Sequence, residues 1–87
     1  MRSAARRDRT EAAIVDALEQ IGVVCYRQSA KGLPDLLTWN RGAWLPVEVK
    51  TPHGTLTPAQ AATRAATPYP IVRSVTEALA LFGVTDV

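Results

Sequence analysis

Cysteine and histidine each occur once in this 87-residue chain, and long apolar runs are missing altogether. A lone Cys25 excludes an internal disulfide and any multi-cysteine metal site. Set in the apolar run VVCY, it reads as a small buried thiol rather than a nucleophile. A lone His53 excludes a histidine-rich zinc centre. Nothing approaches the roughly 18 apolar residues that span a bilayer, and no signal-peptide core is visible, so the expected setting is cytoplasmic with no membrane partner. Repeats, low-complexity tracts and linkers are also lacking, so residues 1–87 are read as one domain.

What is present is an ordinary globular composition, 47% hydrophobic and 21% charged. A chain this short buries only about 60% of its unfolded surface, so a partner subunit would help it. The net charge is +2, yet four arginines and one aspartate crowd into MRSAARRDR. Residues 1–8 therefore read as a basic arm. Either it attracts a polyanion, with Arg2, Arg6, Arg7 and Arg9 as contacts, or it is a frayed, solvated terminus.

Local signals order the elements. Asp8 and Glu11 are spaced as a capping box, and Ile14, Val15, Leu18 and Ile21 recur at helical spacing until Gly22. VVCYRQ, residues 23–28, is β-branched and aromatic, hence a strand. DLLTW and AWLPVEVKT are two further strands joined across Asn40, Arg41 and Gly42. Thr57, Pro58 and Gln60 then supply an N-cap, a first-turn proline and an N3 glutamine for the helix LTPAQAATRAA. YPIVRS is a short strand, and Ser74 with Glu77 opens a last helix over EALALF. The order is αβββαβα, an α/β sandwich around a mixed sheet.

The hairpin GLPDLLTWNRGAWLPVEVK poses the functional question, because it plants Asp35, Glu48 and Lys50 in the most strand-like part of the chain. A two-residue turn at Arg41-Gly42 makes Trp39 face Trp44 and Asp35 face Glu48, the facing Cα atoms about 4.5–5.5 Å apart. Lys50 then shares the face of Glu48. A three-residue turn would destroy this facing. Like charges directly opposite each other destabilise a sheet, and a hard divalent cation with oxygen ligands would offset that. The bland alternative is a wet face on which Lys50 makes a routine cross-strand salt bridge. Glu11 falls on the apolar stripe of the first helix, whereas Asp16 and Glu19 do not. It is therefore either a third carboxylate aimed at the pair or the N3 partner of Asp8. Trp39 and Trp44 are either plain packing, a dimer contact, or a surface for DNA bases and sugars.

Together, GLPDLLTW, PVEVK and GTLTPAQ, with the glutamate of the first helix and the late IVRSVTEA, resemble the PD-(D/E)xK nuclease superfamily. The closest likeness is to its compact VRR-NUC (virus-type replication-repair) branch, which is similar to archaeal Holliday-junction resolvases. The resemblance runs from about Glu11 to about Ala78 and implies a restriction-endonuclease-like sandwich reduced to a minimal nuclease core. It further implies a Mg²⁺- or Mn²⁺-dependent endodeoxyribonuclease whose partners would be branched or double-stranded DNA and a second copy of the chain. Such minimal nucleases are often carried by phages, which places the expected activity in a bacterial or phage-infected cell.

Residue by residue, the resemblance gives Asp35 and Glu48 to the metal, with the Val49 carbonyl and, directly or through water, Glu11. Lys50 would position the attacking water or stabilise charge on the phosphate. Gln60 would orient the site, although a capping box with Thr57 explains it equally well. Arg6, Arg7, Arg9, Arg27, Lys31 and Arg41 would follow DNA phosphates. Gly54 and Thr55, in the segment before the second helix, would offer backbone N–H groups to a phosphate. His53 is a loop residue, either simply solvated or near the substrate path. Two other classes fit the same residues: a nucleic-acid-binding module that keeps the fold without turnover, and a small α/β interaction protein whose acids are surface solvation.

Overall fold

In the computed structural model the backbone is described for residues 2–85 and the side chains for residues 9–85. The elements follow the expected order: α1 (Arg2–Gln20), β1 (Val24–Arg27), β2 (Leu36–Asn40), β3 (Ala43–Val49), α2 (Pro58–Ala66), β4 (Ile71–Val72) and α3 (Val75–Leu81). They form an α/β fold with one mixed sheet of order β1-β2-β3-β4, antiparallel except for the parallel β3–β4 pair.

The first helix begins earlier than its capping signal suggests. It starts at Arg2, so Asp8 lies within the helix and is not its N-cap. Ala4, Ala5, Arg6 and Arg7 are strong helix formers, and their propensity carries the helix back through the segment read as a basic arm. The capping-box explanation of Glu11 therefore falls away. The side chains of Arg2, Arg6 and Arg7 lie outside the described residues.

Residues 41 and 42 form a two-residue turn, with Asn40 paired to Ala43, Trp39 to Trp44 and Leu36 to Val47. Arg41 (φ 50°) and Gly42 (φ 80°) both have positive φ, the signature of the mirror-image turn whose twist matches a hairpin. Glycine meets this demand freely; Arg41 adopts it at a cost of about 1 kcal/mol. The facing inferred from the sequence is thus the observed one.

The two faces of the sheet differ. Leu36, Val47, Val49 and Val72 pack against Ile14 and Leu18 of α1 and against Ala78 and Leu79 of α3, forming the apolar core. On the other face, α2 covers one end, and Val24, Tyr26, Trp39 and Trp44 are exposed. Trp44 is sandwiched in a tilted aromatic row, with ring centroids 4.9 Å from Trp39 and 6.1 Å from Tyr26.

Helix α2 opens with the expected device. The Thr57 hydroxyl accepts from Gln60 N, and the Gln60 side chain accepts from Thr57 N, with Pro58 in the first turn. The corresponding motif at α3 is only half made. Ser74 caps Glu77 N, but the Glu77 carboxylate accepts from Arg73 N, one residue before the cap. Gly32, in the β1–β2 connection, seats α2. It is buried with φ +82°, and a Cβ there would stand 3.3 Å from the Ala59 Cβ. A Gly32→Ala protein combines left-handed backbone strain with that close contact, together about 1–2 kcal/mol. Its melting temperature is expected to fall by roughly 5–15 °C, read by circular dichroism.

Candidate active site

Where β2 and β3 diverge, the backbone of β3 alternates its partners. Glu48 N and Lys50 N donate to Pro70 O and Val72 O of the β4 segment, 3.0 Å each. Val49 therefore turns its N–H and its carbonyl towards the β2 side. The last ladder pair there is Leu36–Val47, and Asp35 lies one step beyond it, opposite Glu48. The Asp35 carboxylate takes the place of the next ladder bond, with Oδ2 accepting from Val49 N at 2.9 Å. Asp35 is thus fixed against the same peptide segment whose carbonyl the family resemblance would give to a metal.

Glu48 is completely buried beneath α2. Its Oε2 accepts from Gln60 Nε2 at 3.1 Å and lies 3.5 Å from Lys50 Nζ. Gln60 Oε1 accepts from Lys50 Nζ at 2.7 Å and from Thr57 N at 3.0 Å. One amide therefore completes the expected helix cap and also bridges the carboxylate to the ammonium. Tyr69 supports it from below, its hydroxyl donating to Gln60 O at 3.2 Å. Burial, with the Glu48 carboxylate nearby, pushes the Tyr69 phenol up, against a smaller opposing pull from Arg64, so the donor stays protonated.

Asp35, Glu48, Lys50, Gln60 and the Val49 peptide are thus brought together at one end of the sheet. Glu11 is buried on the α1 stripe with Ile14 and Leu18, and Asp16 and Glu19 are exposed, as the periodicity requires. Glu11 Oε2 lies 3.3 Å from Arg27 Nε, so Arg27 serves a carboxylate of its own chain. Among the described residues no group of three or more His, Cys, Asp or Glu side chains is placed to hold a metal ion. Asp35 Oδ2 is held by Val49 N–H, and Glu48 Oε2 by Gln60 beside the Lys50 ammonium.

The basic residues scatter. Lys31 and Arg41 are exposed, and Arg41, at the hairpin tip, stands about 20 Å along the strand from Asp35. The turn after Lys50 is held internally. Gly54 N donates to Thr51 O, and Arg73 Nη1 donates to Thr51 O at 3.0 Å and to Gly54 O. Gly54 N–H is therefore taken and is not offered to a phosphate, contrary to the sequence reading; nor is Thr57 N–H, which Gln60 occupies. Arg73 and Tyr69 were invisible as site-supporting residues in the sequence, since nothing in IVRS or PYP marks a side chain that reaches across the fold. Cys25 is half-buried rather than buried, but burial and then Glu19 still push its thiol up to about 11, so it is not a thiolate at neutral pH.

No helix among the described residues is long and apolar enough to cross a membrane. Comparison of the chain with models of known protein families, with curated proteins and with solved structures gives no match.

Proposed function

We propose that the protein is a Mg²⁺- or Mn²⁺-dependent DNA endonuclease with a minimal restriction-endonuclease-like core of the VRR-NUC type, selective for branched DNA such as a four-way junction. One observation carries the reading. A fully buried glutamate, one step beyond the last ladder pair and next in register to the buried Asp35 that precedes β2, is bridged to a lysine by one glutamine. Burying a carboxylate costs several kcal/mol unless it is paired, and an 87-residue fold has little surplus to absorb that cost. A purely solvating acid would have stayed in water.

The bound metal would supply an activated water and a clamp on the charge of the pentacovalent phosphate. Asp35, Glu48 and the Val49 carbonyl would hold it. Asp35 is pinned by Val49 N–H, which fixes the carboxylate in one orientation before any ligand arrives. Lys50 donates to Gln60 and lies 3.5 Å from Glu48, which would leave ammonium N–H donors for the attacking water or a non-bridging phosphate oxygen. The water oxygen would bond to phosphorus as the P–O bond to the leaving nucleotide breaks, the water's proton passing to solvent and the leaving oxygen taking one from solvent, while Lys50 would stabilise the charge that develops. Gln60 orients both partners and exchanges no proton. One site cuts one strand, so a two-fold homodimer would suit a junction, and the uncovered aromatic face supplies apolar surface for such a contact.

The test is cleavage of a labelled four-way junction, a flap and a linear duplex, side by side, with Mg²⁺, Mn²⁺ or EDTA. Metal-dependent nicking with the junction cut fastest is expected. Absence of cutting with either metal, or equal cutting in EDTA, would sink the reading.

A further inference from the structure

A cleft of about 510 Å³ lies between the start of the described part of α1 and the turn that follows Lys50, lined by Arg9, Thr10, Thr51, Pro52 and His53. Its chemistry is one-sided. Among the described residues that line it, it offers a guanidinium, an imidazole and two hydroxyls, and no carboxylate. Arg9 and His53 are exposed, so their donors are presented to solvent rather than used inside the fold. Guanidinium groups match phosphate oxygens with parallel N–H bonds, and threonine hydroxyls add short neutral donors.

The cleft is also held in shape. Arg73, just past β4, reaches across to the carbonyls of Thr51 and Gly54, and Gly54 N–H closes the turn on Thr51 O. Arg73 N is in turn fixed by Glu77 of α3. The wall carrying His53 is therefore tied to the body of the domain before any ligand arrives. Position completes the case. One wall ends at Thr10, next to Glu11, and the other begins at Thr51, next to Lys50. At about 3.3–3.6 Å per extended residue, His53 lies within roughly 10 Å of Lys50, the reach of one or two nucleotides.

We propose that this cleft seats a non-scissile phosphodiester of the strand being cut, with Arg9 and His53 as its contacts and Arg73 as the positioning residue that sets the His53 wall. The inference rests on the nuclease reading for its neighbour, the scissile phosphate, but its own evidence is the cleft. None of its residues belongs to the Asp35–Glu48–Lys50–Gln60 group.

The experiment measures DNA binding in EDTA, where nothing is cut, by fluorescence anisotropy across a salt series, for wild type, Arg9→Ala/His53→Ala, Arg73→Ala and Arg73→Lys. The double variant is expected to bind about tenfold more weakly, with a salt slope lower by about 1. In Mn²⁺ it should show a raised KM and a kcat within about twofold of wild type. Arg73→Ala should reproduce part of the double variant's loss, and Arg73→Lys should recover some of it. A scan of single methylphosphonates across the cut site, each removing one phosphate charge, tests the contact directly. One non-scissile position should weaken wild type about tenfold and leave the double variant unaffected.

Unchanged affinity and slope in the double variant, whose substitutions are on the surface, overturn the cleft while a cutting wild type keeps the nuclease reading. Cleft-dependent binding by a wild type that never cuts does the reverse. A methylphosphonate effect equal in wild type and double variant also overturns the cleft.

Discussion

Asp35→Asn protein is expected to fold and to bind DNA, yet to cut it at least about 10²–10³-fold more slowly than wild type in Mn²⁺. The side-chain amide keeps an oxygen that can accept from Val49 N, so the bond that ties the end of β2 to β3 survives. What disappears is the negative charge facing Glu48, and with it half of the charge available to a divalent ion. Asp35→Ala separates the two roles. It removes the acceptor as well, leaving a buried Val49 N–H without its bond, at about 1–3 kcal/mol. The two variants should therefore cut equally poorly and differ in melting temperature. Cleavage by Asp35→Asn at the wild-type rate would remove Asp35 from the site, and identical melting temperatures would show that its hydrogen bond contributes nothing.

Gln60→Leu is expected to give the largest loss of stability. It withdraws the donor from a fully buried Glu48 and the acceptor from both Lys50 and Thr57 N. Breaking a buried charged network by removing one member costs about 2–4 kcal/mol, or roughly 10–30 °C in melting temperature for a domain of this size. Cleavage should fall at least tenfold, because Lys50 loses its closest partner. Gln60→Glu asks which way the amide points. It retains an acceptor for Lys50 and Thr57 but sets a second carboxylate against Glu48. That raises the pair's affinity for a proton in the folded state, so the neutral form is favoured and stability returns as pH falls. Melting near pH 5 should recover much of what is lost at pH 8. A deficit that ignores pH would mean that the Nε2 group does not face Glu48.

Much of this was legible beforehand because it depends on local rules. The turn at Arg41-Gly42 fixes the register, and the register alone puts Asp35 opposite Glu48. Thr57, Pro58 and Gln60 announce their helix within four residues. The failures have physical causes too. At Asp8, a capping pattern competed with alanine and arginine propensity upstream, and propensity prevailed. The pairing of Arg27 with Glu11 was not visible either, because it needed the distance between α1 and β1. The Arg73 clamp joins residues about 20 positions apart, and no periodicity encodes that. The same limit hid the fact that Gln60 bonds to both Glu48 and Lys50, although each was singled out separately.

Helix α2 buries one of its own residues, Gln60. An element attached to its domain mainly through a polar side chain detaches more readily than one glued by an apolar stripe. The Glu48–Gln60–Lys50 network and the anchorage of the helix are consequently one free energy: whatever strengthens the contacts among these three slows the local opening of residues 58–66. Ligand binding and helix order would then rise and fall together in this protein.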